Sequence, residues 1–116
     1  MTTIWVDGQW YTRETAMISV YDHGLLYGDG VFEGTRVYNS RVFRLDEHLQ
    51  RLYDSALAIW LTIPMAVEEM ARLTEEGVRR SGLKEAYIRH IVTRGAGDLG
   101  LDRKSTRLNS SHPYRS

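Results

Sequence analysis

The sequence predicts an α+β fold built on two main helices. Two observations carry this. Short β-prone runs at the start fall into hairpins, and two long stretches in the middle read as helices, the first by the helical spacing of its apolar residues and the second by its end charges and glycine stop. A single strand then follows, so strands and helices are partly segregated rather than alternating as in a doubly wound sheet.

Taken in order, Ile4–Val6 and Gln9–Tyr11 flank Asp7-Gly8, a turn pair that accepts the positive φ values of a tight hairpin. Ile18–Val20 is a short β-prone piece, and a glycine-rich stretch runs from Gly24 to Gly30. Val31–Tyr38 and Arg41–Phe43 read as a second hairpin turning at Asn39-Ser40. A helix is expected from Asp46, because Leu45, Leu49, Leu52, Ala56 and Ile59 fall on one helical face and Pro64 lies past its end. A second helix is expected over Val67 to Arg80. Glu68 and Glu69 near its start and Arg79 and Arg80 near its end suit the helix dipole, and Gly82 supplies a stop. Ala86–Thr93 reads as a strand closed by Gly95-Ala96-Gly97. No internal repeat is present.

A chain of 116 residues accommodates one domain. Hydrophobic residues at 42% and charged residues at 26% fit a globular protein, and no apolar run reaches membrane-spanning length. The start at Met1 has neither the basic nor the apolar region of a secretion signal. The absence of cysteine excludes disulfides and thiolate metal sites, and a cytoplasmic setting is expected. The net charge of zero hides an asymmetry. Four of the 15 basic residues (Arg103, Lys104, Arg107 and Arg115) follow Asp102, so residues 1–102 hold 11 basic residues against 15 acids. A mildly acidic body without a basic stripe argues against nucleic-acid binding.

Residues 103–116, RKSTRLNSSHPYRS, have Leu108 as their only aliphatic residue and show no periodicity. They are expected to be disordered and to contribute nothing to folding. The segment also resembles translated sequencing-adapter text, so it is expected to be non-native. The expected domain is therefore 1–102.

Several residues could carry chemistry. Alternation along Val31–Tyr38 places Phe32, Gly34, Arg36 and Tyr38 on one face, where Gly34 would leave room for a flat ligand. An edge strand with one solvated face fits the same pattern and is the commoner case. In the last strand Tyr87, Arg89, Ile91 and Thr93 share a face, and an arginine beside a tyrosine can hold a carboxylate. A surface arginine that merely snorkels fits equally well. His48 and Arg51 stand three apart on the first long helix, and Arg51 could reach a phosphate, although solvation is the usual fate of such a residue. His23 and His90 have no partners at metal-ligand spacing. The run Gly95 to Gly100 echoes a phosphate loop but lacks its lysine.

Four stretches together, IWVDGQW, SVYDHGLLYGDGVFEGTRVYN, VFRLDEHLQRLYDSA and AYIRHIVTRGAGDLGLD, resemble the class-IV aminotransferases, the fold-type-IV pyridoxal-phosphate enzymes. Order and spacing match over essentially all of 1–102. VFEGTR and YIR are most similar to the branched-chain amino-acid aminotransferases. The resemblance implies the small N-terminal domain of such an enzyme, with a mixed or antiparallel sheet, a homodimer when complete, and pyridoxal 5′-phosphate between two domains. It implies that Arg51 binds the cofactor phosphate. Tyr27 and Phe32 line the side-chain pocket, with Arg36 as a further pocket residue. Arg89, with Tyr87 beside it, meets the distal carboxylate of glutamate, and Leu99 and Leu101 belong to an apolar loop reaching into the partner subunit. Amino-acid and 2-oxo-acid substrates follow: leucine, isoleucine or valine with 2-oxoglutarate.

The Schiff-base lysine of that family has no match. Lys84 lies in a polar turn and Lys104 in the tail, the only lysines present, so the chain as it stands is expected to be inactive. A D-amino-acid aminotransferase, an aminodeoxychorismate lyase, or a non-catalytic dimerisation or binding module are the alternatives.

Overall fold

The computed structural model describes residues 2–96 and the backbone of residues 107–110. Strands β1 (Ile4–Val6) and β2 (Gln9–Tyr11) form the first hairpin, with Trp5 opposite Trp10. Asp7 and Gly8 both take positive φ, 48° and 92°, as the hairpin twist requires. A short helix, α1 (His23–Tyr27), precedes strand β3 (Gly30–Tyr38), which turns through Asn39 and Ser40 into β4 (Arg41–Val42). Helices α2 (Leu45–Ala58) and α3 (Val67–Ser81) follow, and α3 stops at Gly82 in the left-handed region, φ 67°. Strand β5 is Ala86–Thr93, as the sequence predicts, and β6 is Arg107–Ser110.

One local expectation fails. Ile18–Val20 is not a strand; Ile18 and Val20 are exposed, and no described strand pairs with them. The glycine-rich stretch contains the helix α1. Asp22 caps that helix by accepting from the Gly24 amide at 2.8 Å, and Gly28 ends it at φ 66°. The glycines that look like loop signals include a helix stop.

The strands form one sheet in the order β2-β1-β6-β5-β3-β4, and every pairing is antiparallel. Its longest ladder joins β3 to β5, from Gly30 opposite Thr93 to Val37 opposite Ala86. Helices α2 and α3 cover one face. Leu49, Leu52 and Ala56 of α2 and Met70 of α3 are buried with Trp5, Leu61 and Val92. Val37, Val78, Ala86 and Ile88 form a second cluster beside them.

A buried ion pair ties the end of β5 to this layer. Arg94 Nε donates to Asp29 Oδ2 at 2.7 Å, and its two terminal nitrogens donate to the carbonyls of Ile59 (2.8 Å) and Trp60 (3.2 Å). Helix α2 has no basic residue in its last turn, so Arg94 supplies from another element the cation that a helix C-terminus favours.

Strand β6 falls within the segment expected to be a tail. It lies between β1 and β5, pairing Val6 with Asn109 and Val92 with Leu108. Its lack of an apolar period is no obstacle, because a ladder is made by main-chain groups and both neighbours offer unpaired edges. The rest of 103–116 lies outside the described residues. Deleting residues 107–116 should lower the thermal midpoint and speed amide exchange in β1 before β3. An unchanged midpoint would bear out the expectation of a tail that contributes nothing.

Candidate functional site

Strand β3 separates two polar groupings by simple alternation. Glu33, Thr35 and Val37 are buried under the helices, while Phe32, Arg36 and Tyr38 point to the uncovered face. Register then brings Ile91, Arg89 and Tyr87 of β5 alongside Phe32, Gly34 and Arg36.

On the open face the Arg89 guanidinium lies 5.3 Å from the Phe32 ring centroid and 5.8 Å from that of Tyr87. Both contacts are within cation–π range. Phe32 remains 64% exposed, so one aromatic wall of the pair is available to a ligand. The gap expected at Gly34 is filled by the protein itself. A Cβ at Gly34 would collide with the Tyr87 hydroxyl and lie 2.7 Å from its Cζ. Of the residues the sequence singles out, the structure gathers Phe32, Arg36, Tyr87 and Arg89 here. Tyr27 closes α1, exposed, with its ring edge-on to His23 at 5.3 Å. Leu99 and Leu101 lie outside the described residues.

Arg51 is on the other side of β3. Its Nε and Nη2 donate to the two oxygens of Glu33 at 2.9 and 2.6 Å, a bidentate fork. His48 Nδ1 donates to the same carboxylate at 2.8 Å. The Glu33 carboxyl is held below its usual range, chiefly by the Arg51 hydrogen bonds; burial opposes the shift and His48 reinforces it. Arg51 itself stays 66% exposed. None of its described hydrogen bonds uses Nη1, which leaves donors for an anion. The sequence pattern missed Glu33. Its signal was a carboxylate in phase with Thr35 and Val37 on a core-facing strand edge, which demands a cationic partner.

Behind the same ladder, Thr74 Oγ1 donates to the Met70 carbonyl at 2.7 Å and so accepts from His90 Nε2 at 2.8 Å. That assigns the proton to Nε2. Nδ1 is buried without a hydrogen-bond partner among the described residues. Burial lowers the His90 pKa from 6.5 to about 4; Glu33 opposes this and His48 adds to it.

Lys84 is exposed in the turn before β5 and lines a cleft of about 620 Å³ with Ser40, Arg79 and Leu83, away from Phe32 and Arg89. Among the described residues there is thus no lysine on the open face.

An antiparallel sheet covered by helices on one side matches the small α+β domain of fold-type-IV aminotransferase structures. The chain belongs to the family described as Amino-transferase class IV, whose model matches residues 30–114. A curated protein of Methanocaldococcus jannaschii, a putative branched-chain-amino-acid aminotransferase by its description, is 54% identical over 99 residues, covering 85% of this chain and 34% of that protein. The branched-chain-amino-acid aminotransferase of Pseudomonas aeruginosa is 40% identical over 102 residues, covering 84% and 33%. The T.th. branched-chain amino acid aminotransferase, solved with N-(5′-phosphopyridoxyl)-L-glutamate, superposes with a TM-score of 0.86 at 37% identity, covering 95% of this chain and 39% of that one. The same enzyme has been solved with 4-methylvaleric acid. The chain spans about a third of the length of the curated relatives it matches.

The buried histidine makes stability depend on pH. Unfolded His90 titrates near 6.5 and the folded ring near 4, so as pH falls the unfolded chain binds the proton first. Up to about 3 kcal/mol of stability should be lost between those values. Glu33 acts in the same direction below 4.5, because its folded carboxyl is the harder to protonate. His90→Gln keeps a donor for Thr74 and should flatten the thermal midpoint between pH 6.5 and 4. A slope unchanged in that variant would place its origin elsewhere.

Proposed function

We propose that the chain is the smaller-domain portion of a pyridoxal-phosphate-dependent branched-chain amino-acid aminotransferase, exchanging an amino group between leucine, isoleucine or valine and 2-oxoglutarate. The observation that carries this reading is Arg89 set between Phe32 and Tyr87 on an otherwise uncovered sheet face. Such a face can accept an aliphatic side chain against Phe32 or a distal carboxylate against Arg89. The two ligands of the related T.th. enzyme, a glutamate conjugate and a branched aliphatic acid, support that pairing of tasks.

The described residues fit part of the cofactor's requirements. Pyridoxal phosphate, when bound, supplies the electron sink for moving the amino group. Arg51 would hold its phosphate through the donors that Glu33 leaves unused. Tyr27 and Phe32 would exclude water from the side-chain pocket, Arg36 would border it, and Leu99 and Leu101 would cover it from a partner subunit. The amine that must react with the cofactor is not on the described face, and the larger remainder of the parent enzyme would provide it.

An exposed apolar row supports a covered, assembled state. Met17, Val20, Tyr21, Leu25 and Tyr27 are each at least 55% exposed. Large exposed apolar residues gathered in one segment are commonly covered by a partner. A homodimer in which the larger domain and a second subunit cover this row is the arrangement we infer.

The chain by itself should show no transamination above the free-cofactor background when mixed with pyridoxal phosphate, leucine and 2-oxoglutarate. Glutamate formed at an enzymatic rate would mean that Lys84 or Lys104 serves as the amine. In a chimera carrying residues 2–96 on the remainder of the M. jannaschii relative, Arg89→Ala should slow the half-reaction with glutamate at least about tenfold more than that with leucine, because a buried carboxylate without a partner is costly. Single-turnover kinetics separates the halves. Equal losses would assign Arg89 to the α-carboxylate or to folding. Preference for D-leucine would favour a D-amino-acid aminotransferase instead.

A further inference from the structure

We infer that Gly34 is a specificity-determining position: its missing side chain seats the Tyr87 phenol across β3, and the seated ring holds Arg89 in place for a carboxylate. The inference rests on the proposed role of Arg89 and adds a residue that acts on it only through Tyr87.

Three observations combine. Gly34 is directly opposite Arg89 in the β3–β5 register, and Tyr87 stands two positions along, opposite Arg36. Tyr87 therefore reaches Gly34 diagonally, the distance an aromatic side chain can span between neighbouring strands. The second observation is the overlap itself. A Cβ on Gly34 would meet the phenol oxygen, with Cζ at 2.7 Å and Cε1 at 3.1 Å. Any side chain at position 34 would force the phenol end of the ring to shift from this place. The third is the cation. Arg89 touches Phe32 on one side and Tyr87 on the other, and Phe32 is largely exposed. Tyr87 is the better buried of the two walls, so it contributes the firmer restraint. An oriented guanidinium fork binds a carboxylate with less rotamer entropy to lose.

The backbone gives no other reason for glycine here. Gly34 lies inside a paired strand and is not among the glycines with positive φ. In such a position alanine lowers the entropy of the unfolded chain and is favourable unless something collides with it. The sign of the effect of Gly34→Ala therefore reports on the phenol.

The test uses the 116-residue chain with glutarate as the dicarboxylate probe. Gly34→Ala should lower the thermal midpoint in the unmutated background and raise it in the Tyr87→Ala background. The Arg89 Nε–Hε resonance should shift and broaden in Gly34→Ala, and glutarate should bind about two- to fivefold more weakly, the size of one lost cation–π contact at an open site. If Gly34→Ala leaves the midpoint and the Arg89 resonance unchanged, the seat is wrong and the carboxylate role of Arg89 stands untouched. If the midpoints reverse sign between backgrounds but glutarate never perturbs Arg89 in the unmutated chain, the carboxylate role falls, and the specificity assignment with it.

Discussion

The register between β3 and β5 is the constraint on which everything else rests. A one-residue slip of β3 would send Phe32 and Arg36 under the helices and bring Glu33, Thr35 and Val37 into solvent, and a slip of β5 would likewise exchange Arg89 with Ile88 and His90. That exchange would bury a guanidinium without a partner and expose the residues that α2 and α3 cover. The hydrophobic demand of one face thus sets the chemistry of the other. Val37, Ala86, Ile88 and Val92 are the anchors of this arrangement, all nearly fully buried. Arg94 adds a check at the end of the ladder, since its contacts with Asp29, Ile59 and Trp60 form only when β5 ends at the right height.

On the helix-facing side Glu33 and His90 each find a partner of matching kind, while His90 Nδ1 and Thr35 Oγ1 have no hydrogen-bond partner among the described residues. Glu33 receives a fork and a ring nitrogen, and His90 is kept neutral and given a hydroxyl. The two cases differ in what water can reach. Arg51 extends from Glu33 into solvent, so half of that pairing is available for binding. His90 and Thr74 are sealed, so theirs is structural. Strand β3 therefore holds a cation against each side, Arg51 of α2 behind and Arg89 of β5 in front, with its adjacent residues Glu33 and Phe32 as their respective neighbours.

Much of the fold was legible because its signals are local. Asp7-Gly8, Asn39-Ser40 and Gly82 mark turns that the backbone adopts at positive φ. The apolar spacing of α2 and the charge pattern of α3 locate both helices to within a residue or two. Alternation alone sorted Phe32, Arg36, Tyr87 and Arg89 to one face. What escaped depends on partners distant in sequence. Strand β6 forms because β1 and β5 offer edges, not because residues 107–110 have a β pattern. Helix α1 depends on an aspartate cap and on the His23 amide donating to the carbonyl of Gly95, far along the chain. The gap read at Gly34 was real in sequence but filled by a rotamer of Tyr87, which no one-dimensional pattern specifies.

The place of β6 in the sheet has a consequence for the order of assembly. The hairpin of β1 and β2 is made first and can close by itself within microseconds. Among the described residues it joins the rest of the sheet through residues 107–110, which are synthesised after every other described strand. During translation the ladder of β3 and β5 can therefore mature while the hairpin waits, its inner edge open, until β6 emerges. Contacts that span nearly the whole sequence are the slow ones to form. An unsatisfied strand edge held open for that interval is the point at which this domain is most exposed to pairing with a neighbouring copy of itself.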